Sequence, residues 1–432
     1  MTKVGGAWAT EGARRGPGLS WAKMRTTTLP LTGARGAAPP PLNPQVDLLE
    51  GQLQTALPHW HRARLNGLAK ALLAVIVASS VNLTKVARAY AGRAQVASHY
   101  RRLQRLLAGF APFVSDGALA RLLAAWSGVE PPWVLSLDRT DWQPAQVAGR
   151  RLAWVNFLVL GIVKDGVAYP LLWTLLPKKG GCSVAQRIPL LERFLTLFGP
   201  KAVRFIAMDR EFGAKAWLEW LQAHKLNFRL RLCAEHRVSN ARGEPTPVRR
   251  LCAHLAPTQA ERWGPRHLWG VEVEVAVLRL PPQACARTQA ARRAKGHAHP
   301  GDELVVVVGP CDPHEAPDLL ADYRLRWGIE TLFGALKSRG FDLESTHVVS
   351  CPERLERLLG LLALAFAWAH RTGQWVAEHV RPPRFNPRQG RRAKSLFRHG
   401  LDYLCHLLAP GAAADPLRQE HFRHLLQLLS CA

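Results

Sequence analysis

Six residues in this chain have the types and spacing for chemistry on a phosphate. Tyr323, Arg326, Glu330 and Lys337 follow one another as Y-x2-R-x3-E-x6-K in a stretch with helical periodicity. At about 100° per residue they fall within an arc of roughly 60°. Amphipathic packing does not produce a narrow stripe of one acid, two bases and a phenol; a surface turned toward a phosphodiester backbone does. Glu330 can hold a hard divalent cation, Arg326 and Lys337 can bind phosphate oxygens, and Tyr323 can hydrogen-bond or stack. A lone carboxylate is insufficient for metal-assisted phosphoryl transfer. Asp138 and Asp209, each at the end of a short apolar run, are the natural partners for two ions about 3.5 to 4 Å apart. Taken singly, each Asp reads as a strand-end turn residue or a helix cap; together with the stripe they read as ligands.

The elements that must position these groups follow from the hydrophobic periods. Trp133 to Leu137 reads as a buried strand ending on Asp138. Leu152 to Val163 and Val167 to Leu176 flank Lys164-Asp165-Gly166, a hairpin signal. Ser183 can cap a helix to about Phe198, and Ala202 to Met208 is a strand ending on Asp209. A helix over Ala214 to Lys225 and a strand over Phe228 to Leu232 come next. The order is three strands, helix, strand, helix, strand, a mixed α/β layer. A single helix is expected from Pro317 through Lys337.

Around this core the chain divides further. Residues 1–45 are rich in Gly, Pro and basic residues and read as a flexible basic tail. Residues 46–128 are helical, and two short helices meeting near Gly92, with Arg101, Arg102 and Arg105 on the second, have the layout of a DNA-binding helix pair. Residues 129–233 and 317–350 make the catalytic core, separated by a β-rich insertion over 234–316. Residues 351–432 are helical, interrupted by the basic loop Arg381 to Lys394, which has no acidic residue and suits backbone phosphates.

Composition agrees with such a partner. Over 432 residues, 58 Lys and Arg stand against 32 Asp and Glu, a formal charge of +26, so the counter-charge is a polyanion and nucleic acid leads. A hydrophobic fraction of 48% excludes a wholly disordered basic protein. The longest apolar runs, Ala71 to Ala78 and Leu358 to Ala369, are too short to span a bilayer, so no membrane is expected. The scattered cysteines and the lack of a signal peptide fit a reducing cytoplasm. Cys252 with His254, His297 with His299 and Cys311 with His314 do not reach zinc-ligand spacing. Trp263 and Trp269 of the insertion are candidates to stack on an unpaired base.

The combination Leu137-Asp138-Arg139-Thr140-Asp141-Trp142, Met208-Asp209-Arg210-Glu211-Phe212 and the Y-x2-R-x3-E-x6-K stripe closely resembles bacterial insertion-sequence transposases of the Asp-Asp-Glu class, specifically the insertion sequence four family. The resemblance extends over about residues 50 to 410, through Gly92-Arg93, Ser98 to Leu103, Gly340-Phe341 with Glu344, and Ser395 to Leu401. It implies a ribonuclease H-like core interrupted by a β-rich insertion. It implies cleavage of transposon ends and attack of the freed 3′ hydroxyl on target DNA, through a hairpin intermediate. Asp138, Asp209 and Glu330 become the catalytic metal-binding triad for Mg²⁺, with Mn²⁺ substituting, while Tyr323, Arg326 and Lys337 contact the DNA backbone. The resemblance further implies terminal inverted repeats and target DNA as partners, a homodimer on paired ends, and a nucleoid-associated place in a bacterial cytoplasm. Two other readings of the same residues are an inactive DNA-binding relic and a structure-selective nuclease on the same core. Asp141 competes with Asp138 for the first position; Asp138 directly ends the apolar run. Asp342 and Glu344 read as packing or loop-capping groups.

Overall fold

A computed structural model describes residues 43–109, 117–143, 154–286, 303–311, 318–348 and 351–430. The expected basic tail lies almost wholly outside the described residues, as do His297, His299 and His314.

Ten strands form one mixed sheet: β1 (Trp133–Trp142), β2 (Val155–Lys164), β3 (Val167–Leu175), β4 (Val203–Met208), β5 (Phe228–Leu232), β6 (Arg237–Ser239), β7 (Pro245–Pro247), β8 (Ala260–Leu268), β9 (Val271–Arg279) and β10 (Leu304–Gly309). Their spatial order is β3-β2-β1-β4-β5-β10-β9-β8-β6-β7. The first three are antiparallel neighbours, and β1, β4 and β5 run parallel. That five-strand arrangement is the ribonuclease H-like core, in the strand–helix order read from the sequence. Helix α6 (Val184–Phe198) leads into β4 and helix α7 (Lys215–Ala223) into β5. A Ser183/Gln186 capping box starts α6.

The inserted segment extends the same sheet. Strand β10 pairs antiparallel with β5, and β9 and β8 follow it. The alternating apolar residues of β9, Val271, Val273, Val275 and Val277, are all buried. Strand β8 escaped the sequence reading because its sequence, AERWGPRHL, is mostly polar and exposed and carries Gly264 and Pro265.

Helices α1 (Asn43–Ala56), α2 (Arg62–Ala78), α3 (Leu83–Ala89), α4 (Val96–Gly109) and α5 (Ala118–Ser127) precede the sheet. Helices α8 (Leu319–Arg324), α9 (Trp327–Leu336), α10 (Pro352–His379), α11 (Leu396–Leu407) and α12 (Pro416–Gln427) complete the chain. Helix α10 packs on α2, α4, α5 and β3, so one apolar core runs from the helical region into the sheet. Arg357 of α10 donates to the carbonyls of Leu107 and Ala108 at 2.7 and 2.6 Å, satisfying the C-terminal end of α4. Among the described residues no single helix is long and apolar enough to cross a membrane.

The expected single helix through Lys337 is two helices. At the junction, Arg326, Gly328 and Ile329 donate to carbonyls three residues back. This tight turn seats Arg326 above Tyr323 and redirects the chain. Asp138 also departs from expectation: it lies within β1, which continues through Trp142, rather than at its end. Cross-strand pairing with Val155 to Val159 holds those extra residues extended despite their polarity.

Helices α10 and α11 meet at two glycines. A methyl group on Gly373 would lie 1.8 Å from the Leu396 carbonyl oxygen, and one on Gly400 would lie 1.9 Å from that of Ala369. Gly400→Ala is therefore expected to destabilise the protein by about 3 kcal/mol, read as a lower urea midpoint; an unchanged midpoint would contradict this crossing. A second prediction concerns His370 of α10, buried against Phe366 with Nδ1 2.6 Å from the Tyr169 hydroxyl. Burial, helped by Arg371, holds its pKa down at about 4. The unfolded chain thus binds the extra proton first as pH falls. The stability from neutral His370 is complete above about pH 6.5 and is lost toward pH 4, a change on the order of 3 kcal/mol. Denaturation of wild type and His370→Gln across this range should show a shallower pH slope in the variant.

Candidate functional site

Strands β1 and β4 run side by side with Leu137 opposite Met208, so the next residue on each, Asp138 and Asp209, emerge together. Helices α8 and α9 lie across them. Gly328 permits this, since a Cβ there would stand 2.8 Å from the Val167 carbonyl carbon and 3.1 Å from the Ala168 nitrogen. A buried ion pair fixes α8 on the sheet: Arg229 of β5 donates from Nε to Asp322 Oδ2 at 2.8 Å, one residue before Tyr323.

The centre of the site is the guanidinium of Arg326, whose side chain is 5% exposed. Nη1 donates to Asp138 Oδ2 at 2.8 Å, Nη2 to Glu330 Oε1 at 2.5 Å, and Nε to the Tyr323 hydroxyl at 3.1 Å. That hydroxyl donates in turn to Asp209 Oδ1 at 3.2 Å. Asp138, Asp209, Tyr323, Arg326 and Glu330 are thus one connected network. Glu330 keeps 42% of its side chain exposed. Asp141 stays outside: it pairs with Arg139 at 3.4 Å.

Lys337 stands apart. It follows the last residue of α9, with Nζ 3.0 Å from the Asp141 carbonyl oxygen, 3.1 Å from Glu344 Oε1 and over the Trp142 ring. The helical arc that placed it with Glu330 does not survive the end of the helix. Glu344 therefore acts as a partner of Lys337.

The electrostatics are asymmetric. Burial pushes the Asp138 carboxyl up to about 7, although Arg326 and the Arg139 amide favour its charge. Asp209 is also penalised by burial, yet Arg326, the Arg210 amide and Arg231 outweigh this and hold it below the usual carboxylate range. Burial and then the Asp209 charge raise the Tyr323 phenol to about 12, so it stays a donor. For Arg326 burial disfavours the charge, but Tyr323, Asp138, Asp209 and Glu330 keep it protonated.

Three oxygen-donor carboxylates, two of them largely desolvated, have the donor chemistry of a hard divalent cation. Among the described residues no three His, Cys, Asp or Glu side chains already close around one point. Between Asp138 and Glu330 the positive charge is supplied by Arg326.

Several supporting groups had no legible signature. Arg187 of α6 is buried and donates to the carbonyls of Phe212 at 2.7 Å, Glu211 at 3.1 Å and Cys182 at 2.8 Å, clamping the turn after Asp209. Arg139 spans both carboxylate oxygens of Glu211 and reaches Asn156, whose amide holds the carbonyls of Lys178 and Gly180. Trp327 is 59% exposed beside Arg326. Its position directly after the Arg of the stripe could have been read as a signal. Of the two candidate stacking residues, Trp269 abuts Gly213 near the Asp209 turn, while the Trp263 indole donates to Glu261 at 3.0 Å.

Residues 184–368 match the family model of the transposase DDE domain, a span that contains Asp209, Tyr323, Arg326, Glu330 and Lys337 and begins after Asp138. The match supports a DDE-type DNA transposase. The chain is also similar to a cryo-EM structure of a piggyBac transposase synaptic complex with hairpin DNA, at 10% identity and a TM-score of 0.39 over 89% of this chain and 82% of that one. This likeness is too distant to carry residue roles. No curated protein matches the chain.

The Arg229–Asp322 pair generates a prediction. Asp322→Ala leaves a buried guanidinium without its anion and should lower stability by roughly 3 to 5 kcal/mol. Adding Arg229→Met should recover much of the loss. Urea denaturation of wild type and the two variants decides it; a double variant no better than the single would show that the pair does not pin α8.

Proposed function

We propose that this protein is a DNA transposase of the insertion sequence four type, which cleaves the ends of its element and joins the freed 3′ hydroxyl to target DNA. The observation that carries the reading is the Arg326 hydrogen bond to Asp138 across 188 residues of sequence, which links the first aspartate to the Tyr/Arg/Glu stripe. The transposase domain match covers the other two carboxylates. A domain that merely coats DNA has no need to gather three carboxylates beneath a cationic surface.

In this reading Asp138, Asp209 and Glu330 hold Mg²⁺, or Mn²⁺ in its place. Those carboxylates would hold the ions, and the chemistry so supplied would be activation of the attacking oxygen and stabilisation of the leaving one. The chain's own residues do the rest. Arg326 releases its carboxylates and donates to two phosphate oxygens in the bidentate geometry that guanidinium favours. Tyr323, kept protonated, donates to the same backbone. Lys337, held by Glu344 and by the carbonyl of Asp141 three residues beyond Asp138, meets a neighbouring phosphate. The exposed Trp327 offers a face to a base displaced at the cut end, as a hairpin intermediate requires. The partners are the element's terminal inverted repeats and target DNA, with a homodimer on paired ends, in the nucleoid of a bacterial cytoplasm. Residues 46–128 serve as the helical DNA-binding domain, with Arg101, Arg102 and Arg105 of α4 exposed for the purpose.

The test is cleavage and strand transfer of end-containing DNA in Mg²⁺ or Mn²⁺. Asp138→Ala, Asp209→Ala and Glu330→Ala should each lose about three orders of magnitude or more in rate. Full activity in any of the three would remove that residue from the centre. Cleavage without joining would indicate a structure-selective nuclease, and end binding without either would indicate a relic.

A further inference from the structure

The segment Arg381 to Lys394 is an ordered arm. Phe385–Asn386 (β11) pairs antiparallel with Arg391–Arg392 (β12), Phe385 opposite Arg392 and Asn386 opposite Arg391. The Ala393 amide donates to the Arg384 carbonyl at 2.7 Å, and Asn386 Oδ1 accepts the Arg388 amide at the turn. Pro382, Pro383 and Pro387 stiffen the chain by fixing φ. At the root, Lys394 reaches Asp402 at 2.7 Å and His399 Nε2 lies 3.0 Å from the Arg381 carbonyl oxygen. The next helix is seated by Phe397 against Gly340 and Phe341, three and four residues after Lys337. The root of the arm is therefore packed on the chain that leaves the stripe.

Two properties of this arm are independent of each other. Arg381, Arg384, Arg388, Arg391, Arg392 and Lys394 are all exposed, and residues 381–394 include no Asp or Glu. Among these cations stands Phe385, at 62% exposure the most exposed large apolar side chain of the described residues. A single exposed ring is ordinary on a protein surface. Here the backbone that carries the ring is held by strand pairing, opposite Arg392 and next in sequence to Arg384. A purely solubilising basic surface gives no reason for it.

We propose that this hairpin is a duplex-DNA contact arm: its arginines sit on backbone phosphates while Phe385 lies against the bases of an opened step. The dimensions agree, since a groove of DNA admits a two-stranded ribbon, and an apolar side chain flanked by cations is the means by which proteins wedge base steps apart. The inference rests on DNA being the substrate, and it adds a second contact region at the foot of the stripe.

Binding of the full chain to a fluorescein-labelled 30-base-pair duplex of arbitrary sequence, titrated with NaCl, tests the two parts separately. Each phosphate contact contributes close to one unit to the slope of log affinity against log salt. Replacing Arg384, Arg388 and Arg392 by Ser should reduce that slope by about 2 to 3. Phe385→Ala should leave the slope unchanged, weaken binding about tenfold at every salt concentration, and abolish the fluorescence change of 2-aminopurines distributed along the duplex. Circular dichroism melts of both variants should match wild type, because these side chains are exposed. The proposal is overturned if the arginine variant keeps the wild-type slope. It is equally overturned if replacing Lys201, Arg204 and Arg423, three exposed cations outside the arm, by Ser lowers the slope as much, or if Phe385→Ala binds like wild type. These measurements need no catalysis. A chain that binds through the arm but never cleaves refutes the transposase reading alone, and one that cleaves with an unaltered slope in the arginine variant refutes the arm alone.

Discussion

A charge is held away from water only where its surroundings supply compensation, and in this protein that constraint converges on the guanidinium of Arg326. Its donors go to Asp138, Glu330 and the Tyr323 hydroxyl, which passes the interaction on to Asp209. Neither Asp138, Asp209 nor the Tyr323 hydroxyl could be buried so deeply alone, and neither could the guanidinium. The arrangement is still under-compensated, which is why burial leaves the Asp138 carboxyl near 7 while Asp209, with three arginines acting on it, stays ionised. A centre with an excess of desolvated carboxylate is suited to receive further positive charge, and a guanidinium that bridges two carboxylates is suited to exchange them for a phosphate.

The rest of the fold can be understood as what keeps this network in register. Parallel pairing of β1 with β4 brings two aspartates together from distant sequence. Arg187 and Arg139 fix the turn after Asp209 through its carbonyls and through Glu211. Gly328 lets α9 approach the β2–β3 hairpin closely, and the Arg229–Asp322 pair holds α8 to β5. Buried arginines recur at these junctions, each pinned by carbonyls, carboxylates or an aromatic face rather than by packing alone. A planar group with five donors can tie several backbone segments at once.

The net charge of +26 is distributed accordingly. The buried arginines belong to the architecture, whereas Arg101, Arg102 and Arg105 of α4 and those of the 381–394 arm are exposed. The arm shows how much local order can be built from polar sequence: two pairs of residues in a ribbon, an Asn-capped turn and one ion pair to the following helix present its cations in fixed positions.

The sequence by itself determined the strand–helix order of the core, because buried strands and capped helices imprint a period on the residues that form them. It also determined the chemical types in the centre, because an acid, two bases and a phenol at those spacings have no packing explanation. It missed β8, where polar residues are held extended by a neighbour, and it misjudged where β1 stops, since cross-strand pairing with β2 prolongs it. The helical arc joined Lys337 to Glu330, but the arc presumes an unbroken helix, and the tight turn at Arg326 with the end of α9 at Leu336 invalidates it. Only the tertiary structure decided that Arg326 bridges Asp138 and Glu330, that Lys337 answers to Asp141 and Glu344, and that Arg187, Arg229 and Asn156 support the site. Periodicity reports which face of one element is buried, whereas hydrogen bonds between elements depend on distances across the fold that no local pattern encodes.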